Sequence, residues 1–396
     1  MRKVKLIIML VGLMAIGFGG NALAYHDGSV AHCDGCHTMH NFADNPAREG
    51  VTPVVGGALL KGQDPSSVCL GCHQGSSSYH IMSDDTGQGD AMKPGGDFYW
   101  LKRTFTWSAH GNTQTSEGDN HGHNIISADF GLTVDATNSQ APGGTFPSAS
   151  LGCSSCHDPH GKKRDASGNP VGLIAGSGSY GDDPSALADG ETYGNFRLLG
   201  DNGYEPRGPG LGAFTYGSPI ATSMNSNETN TNHASYGRGM SQWCANCHID
   251  YLTGNGVYMH PATSHLGSTI ANVYNNYVKT GDTSGSGWTS GGPYEALVPF
   301  QRETDDPTAL MTDDTSGPDS GDTVMCLSCH RAHASAFSNA GRWDFTTEFP
   351  AEAHPDGGVT DDSTALEMTN SYYGRDIATE FGEHQRPFCN KCHLQD

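Results

Sequence analysis

Apolar residues are scarce in this chain. They make up 35% of its 396 residues, against roughly 45–50% in an ordinary globular protein, too few for the two or three well-filled cores that its length would suggest. Long apolar runs are scarcer still. Leu6–Phe18 is the longest, too short for a comfortable bilayer span, and no later stretch approaches it, which argues against a membrane-spanning protein. Positive charge is low: Lys and Arg number 21 against 43 Asp and Glu, a formal net charge of −22, which disfavours nucleic acid as a partner. The acidic pairs Asp84-Asp85, Asp182-Asp183, Asp305-Asp306, Asp313-Asp314 and Asp361-Asp362 lack the ligand spacing of a calcium loop and read as solvated loops.

Turn-forming residues are plentiful. With 54 Gly and 20 Pro, and turn signals such as Pro94-Gly95-Gly96-Asp97, Pro142-Gly143-Gly144, Gly208-Pro209-Gly210 and Ser290-Gly291-Gly292-Pro293, the chain changes direction often and disfavours long helices and sheets. The expectation is a coil-dominated fold with short helices and little strand. One candidate helix, Leu266–Val278, carries 3.6-residue spacing at Leu266, Ile270, Val273 and Tyr277; one candidate strand, Phe98–Trp107, alternates weakly. At the N-terminus Arg2, Lys3 and Lys5 precede the apolar run, and Ala22-Leu23-Ala24 has the small-x-small form of a signal-peptidase site. Residues 1–24 therefore read as a secretory signal peptide, leaving Tyr25 first in an exported, still more acidic protein. No break in composition divides residues 25–396, which are expected to form one elongated unit.

All 12 cysteines fall in six copies of one pattern, CxxCH: Cys33-Asp34-Gly35-Cys36-His37, Cys69-Leu70-Gly71-Cys72-His73, Cys153-Ser154-Ser155-Cys156-His157, Cys244-Ala245-Asn246-Cys247-His248, Cys326-Leu327-Ser328-Cys329-His330 and Cys389-Asn390-Lys391-Cys392-His393. The copies follow no fixed period. Two cysteines three apart share one face of a helical turn, where their sulfurs can form thioethers to the two vinyl groups of a haem, and the next histidine can reach the iron. Disulfides give no reason for a histidine after every pair; at about 5% histidine, six such coincidences have a probability on the order of 10⁻⁸. A zinc knuckle draws its ligands from two separated half-sites rather than repeating one unit. The motifs predict six covalently bound haem c groups, with His37, His73, His157, His248, His330 and His393 as proximal iron ligands. Six porphyrins also answer the shortage of apolar side chains, since each supplies a rigid apolar surface for the chain to wrap.

The other histidines are His26, His32, His40, His80, His110, His121, His123, His160, His233, His260, His265, His333, His354 and His384. Six of them would give six bis-histidine haems. Three follow a motif at the same offset: His40, His160 and His333, each three residues beyond a proximal histidine. Two histidines so close in sequence cannot easily bind opposite faces of one iron, so the second should bind a different haem and hold neighbouring porphyrins together. His80, His123 and His260 carry a weaker signal, and the rest are expected to be surface or hydrogen-bonding residues. No methionine recurs beside the motifs. An iron with two histidines has no open position for substrate, so the predicted chemistry is electron transfer, not catalysis.

With these residues in view, the chain resembles the OmcS-type outer-surface hexahaem cytochromes along the length of residues 25–396. The resemblance is carried by Cys33–Asn41 (CDGCHTMHN), Pro94-Gly95-Gly96-Asp97-Phe98, Cys153–Lys162 (CSSCHDPHGK), Tyr236–His248 (YGRGMSQWCANCH), Cys326–Ser335 (CLSCHRAHAS), Tyr372-Tyr373-Gly374-Arg375 and Cys389–His393 (CNKCH). It implies a continuous chain of six bis-histidine haems, alternating parallel-stacked and T-shaped contacts, and polymerisation into conductive extracellular filaments. It also implies that His40 ligates the Cys326/Cys329 haem of the adjacent subunit, a heterologous contact that builds an open filament. His80, His123, His160, His260 and His333 fall in segments resembling the family and are assigned as distal ligands, with His26 as a seventh candidate. Further assignments place His333 on the sixth haem and His160 on the fourth. The intervals around 110–121, 223–235 and 344–364 match less well, leaving His110, His121, His233 and His354 without a role. The implied function is long-range electron transfer from outer-membrane donors to metal oxides, electrodes or partner cells. The rival readings are a monomeric electron shuttle and a multihaem reductase, the latter requiring a five-coordinate haem.

Overall fold

The computed structural model describes residues 33–37, 60–75, 80–84, 93–109, 112–159, 162–164, 170–173, 196–206, 208, 211–222, 227–254, 262–288, 291–355 and 360–394. The expected signal peptide and His26, His32, His40, His110, His160 and His260 lie outside them. Regular structure is sparse and short. Strand β1 (Phe105–Ala109) pairs antiparallel with β2 (Asn112–Ser116), β3 (Lys162–Arg164) pairs with β4 (Pro170–Leu173), and β5 (Thr360–Asp361) adds to the other edge of β1. Most of the described motifs sit on single turns, as expected: Cys33–Cys36 and Cys153–Cys156 are α-helical, Cys326–Ser328 and Phe388–Lys391 are 3-10. Pro65–His73 is longer because Asp64 caps it, accepting from the Ser67 N–H at 2.8 Å, with Pro65 in the first turn. Among the described residues no helix is long and apolar enough to cross a membrane.

The candidate helix appears as Gly267–Asn276, burying Ala271 and Tyr274. The candidate strand is corrected. Phe98–Lys102 is a 3-10 turn and the strand starts at Phe105. The cause is Asp97, whose side chain accepts from the Tyr99 N–H and winds the chain where weak alternation suggested extension. Nor is there one core among the described residues. Apolar side chains gather in three clusters, each against motif cysteines: Leu70, Met82, Phe98, Ile125 and Leu132 near Cys153; Phe196, Tyr236, Met240, Met325 and Leu327 near Cys244; and a larger aromatic group including Trp343, Tyr274 and Phe388 near Cys329 and Cys392.

Asp97 is also a hinge of polar packing. Its buried carboxylate accepts from Ser83 N (2.9 Å), Ser83 Oγ (2.5 Å) and Tyr99 N (2.9 Å). Burial pushes its carboxyl from 3.8 up to about 6, against those hydrogen bonds. Between these values the folded chain holds a proton that the unfolded chain has released, so stability is greatest below the window and falls as pH rises through it. Asp97→Asn removes the titration. On urea unfolding, the loss of stability between pH 4 and pH 6.5 should then be about 2 kcal/mol smaller in the variant than in the wild type; an equal pH dependence in both contradicts this assignment.

Candidate haem-binding site

Three of the proximal histidines are aimed by a backbone carbonyl from another loop of the chain. His157 Nδ1 donates to Arg197 O (2.7 Å), His248 Nδ1 to Pro142 O (2.7 Å) and His330 Nδ1 to Asn339 O (2.8 Å). Such a bond fixes the tautomer and leaves Nε2 as the ligating nitrogen. The distal candidate His123 is held the same way, Nδ1 to Ala332 O at 2.7 Å. His333 sits deep: its N–H donates to Gly95 O at 2.7 Å, Asp97 N donates to Ala334 O at 3.0 Å, and the Phe98 ring stacks on the imidazole at 4.7 Å. Gly95 and Gly96 make this strap possible, since a Cβ on Gly96 would fall 2.0 Å from Ala334 O.

Two histidine pairs then face each other. The rings of His157 and His333 have centres 6.4 Å apart, those of His123 and His248 6.0 Å. A histidine nitrogen binds a metal at about 2 Å and the ring centre lies about 1 Å beyond, so two imidazoles on opposite faces of one ion stand about 6 Å apart. Both pairs fit one iron each. Strapped against residues 93–97, His333 faces the proximal histidine of the third motif, where the sixth haem was expected, and His123 stands opposite that of the fourth; His160 lies outside the described residues. Burial and the facing histidine hold His123 down at about 4 and His333 at about 3, so both are neutral and able to donate a lone pair. His80 is buried beside Asp97.

Successive motifs are joined by two alternating kinds of junction. Ser66, in the second motif's helix, accepts from Cys153 N at 3.1 Å, which sets Cys69 beside Cys153; likewise Ser241 accepts from Cys326 N at 3.2 Å, which sets Cys244 beside Cys326. Between them Cys156 lies near Cys247, and Cys329 and Cys392 pack against the same apolar cluster. The motifs from the second to the sixth are therefore neighbours in sequence order. The sixth is anchored by Lys391, whose Nζ donates to Tyr277 O at 2.7 Å and lies over the Tyr274 and Trp288 rings.

Three histidines left without a role contact protein groups. His121 bonds through Nδ1 to Trp100 O and through Nε2 to Ser116 Oγ; His233 contacts Asp314 O through Nε2 and stacks on Tyr294 at 3.6 Å; His354 stacks on Trp107 at 4.1 Å. One candidate was missed. His265 is exposed, and its Nδ1 donates to Gly321 O at 2.5 Å, the same arrangement as the proximal histidines; it follows no motif, so spacing gives no sign of it.

No known family profile matches the chain. The C-type cytochrome OmcS of Geobacter sulfurreducens is 43% identical over 420 residues, covering 95% of each chain. Two solved structures share the coil-dominated architecture over 94% of this chain and 100% of theirs: a cryo-EM structure of OmcS nanowires (TM-score 0.78, 38% identity) and an outer membrane cytochrome S filament (TM-score 0.74, 40% identity), both from Geobacter sulfurreducens.

The fourth motif is the tightest fit. A Cβ on Gly144 would lie 1.8 Å from Cys247 O, whereas one on Gly212 would meet nothing within 4 Å. Gly144→Ala should cost about 1–3 kcal/mol, lowering the thermal midpoint by several degrees, while Gly212→Ala leaves it nearly unchanged; equal effects would refute this packing.

Proposed function

Because this chain belongs to the family of the C-type cytochrome OmcS, we propose that it is an extracellular electron carrier with six haem c groups that passes electrons along its own length and onward through a homopolymeric filament. The six cysteine pairs would hold the haems by thioethers, with His37, His73, His157, His248, His330 and His393 as proximal ligands. His333 would complete the third haem and His123 the fourth. His40, His80, His160 and His260, with His26 and His265 in reserve, supply the others; His40 of one protomer would complete the haem held by Cys326 and Cys329 of its neighbour. A haem ligated in this way supplies a one-electron ferric–ferrous couple and no open coordination position. The residues fit it: His123, His157, His248 and His330 are aimed through Nδ1, burial holds His123, His248 and His333 below the usual imidazole range, and apolar clusters pack against the motif cysteines.

The observation that carries the reading is the pair of facing imidazoles at 6.0 and 6.4 Å in consecutive motifs. The ordered contacts from the second motif to the sixth support an unbroken path, and the alternating junctions agree with alternating haem contacts. The chain would be exported through the periplasm to the outer surface, receive electrons from outer-membrane donors, and deliver them to metal oxides, electrodes or partner cells. An iron with two histidine ligands has no open position for a substrate, so the role we infer is electron transfer without enzyme activity.

Two measurements test this. His333→Ala and His123→Ala should each convert one of six low-spin haems to high spin in the electron paramagnetic resonance spectrum, leaving five; retention of six overturns the pairing. His40→Ala should abolish filaments in negative-stain images. Intact filaments with six low-spin haems rule out the subunit-bridging role, and a stoichiometric high-spin haem in the native protein favours a reductase.

A further inference from the structure

A cluster of buried charge lies against the fifth motif, and nothing above uses it. Glu228 is 1% exposed, Arg331 2% and Arg342 1%. One oxygen of Glu228 takes both guanidiniums, Arg331 Nη1 at 2.5 Å and Arg342 Nη1 at 3.4 Å. Both arginines grip the motif itself. Arg331 follows His330 directly, with its N–H on Ala340 O at 2.6 Å. Arg342 donates from Nε to Leu327 O at 2.7 Å and from its backbone N–H to Cys329 O at 2.8 Å, both carbonyls within the Cys326–His330 unit. The adjoining pair, Arg375 with Glu295, is neutral in itself and is linked through Asn230. Glu228 Oε1 and Arg342 Nη2 are buried without a hydrogen-bond partner. The cluster thus holds two positive charges against one negative, out of contact with water.

Burying an uncompensated charge is costly, and apolar side chains would fill this space more cheaply. What a fixed charge offers here is an electrostatic field. We propose that this cluster sets the reduction potential of the haem carried by Cys326 and Cys329, with Arg331 and Arg342 raising it and Glu228 limiting the rise. The inference rests on the reading of the chain as a haem-loaded electron carrier. In the step concerned, one electron passes from an adjacent carrier to the ferric iron, which becomes ferrous; no bond forms or breaks and no proton is required, so the centre's charge falls by one. Positive charge nearby favours the electron's arrival, negative charge opposes it, and both act strongly where the surroundings are poorly polarisable. Arg342 and Glu228 touch neither iron nor porphyrin in this account. They are positioning residues for a potential.

The test is a potentiometric titration of the full-length, haem-loaded protein, followed in the visible spectrum and resolved into one-electron components. Glu228→Gln keeps the shape of the side chain and removes its charge. One component should move to higher potential by a tenfold change in its ferric–ferrous ratio, 59 mV for one electron. Arg342→Gln should move one component down by a similar amount, while Arg342→Lys, which keeps the charge, restores it; if Arg342→Gln does not accumulate, Arg331→Gln removes the same charge. No shift in Glu228→Gln, shifts of the same sign in Glu228→Gln and the arginine variants, or an equal shift in all six components overturns the proposal. The haem count of the wild type is read first. Fewer than six haems overturns the underlying reading instead, so the two failures are distinguishable.

Discussion

The hydrogen bond from a histidine Nδ1 to a distant backbone carbonyl is the interaction on which this structure depends. Pro142 and Ala332 lie in irregular stretches, Arg197 and Asn339 at left-handed kinks within 3-10 turns, and each gives its carbonyl to an imidazole elsewhere in the chain. A coil with few apolar side chains has little reason to adopt one conformation. Tying its carbonyls to histidines that must point at particular spots supplies that reason. The same bonds leave Nε2 directed away from the backbone, so the constraint that orders the coil also prepares the ligands.

Packing follows from this arrangement rather than directing it. The three apolar clusters are small and separate, and each ends on motif cysteines. A porphyrin held by those cysteines would lay its apolar face against the clusters. The serine caps from Ser66 to Cys153 and from Ser241 to Cys326 satisfy the first N–H groups of the next motif's turn, which a four-residue helix cannot satisfy alone. Neighbouring motifs are thereby held in register, and distance between carriers becomes a property of backbone hydrogen bonding.

Much of this was legible in the sequence. The six motifs, the coil-rich fold, the helix ending near Tyr277 and the candidacy of His123 and His333 all follow from spacing and composition. The pairing of His333 with the third motif was not, because a ring at i+3 from one motif can be carried to any other, and the strap of Gly95 to His333 is set by contacts far apart in the chain. The 3-10 turn at Phe98 hid behind weak alternation, since a single Asp97 side chain outweighs it. His121, His233 and His354 look like any histidine in sequence; only the filled ring nitrogens of His121 and His233 and the aromatic stacking of His233 and His354 set them apart. His265 bears no local signal, as its carbonyl partner is at Gly321.

The central claim is that the cofactors complete the core and the histidine–carbonyl bonds fix the coil around them. Amide hydrogen exchange, compared between the haem-loaded protein and the same chain produced without haem attachment, tests it most directly. The account predicts strong protection at the motif turns and at Asp97, His333 and Ala334 in the loaded protein, and its near-complete loss in the haem-free chain. Equal protection in both forms would show that the polypeptide folds on its own and would contradict the account.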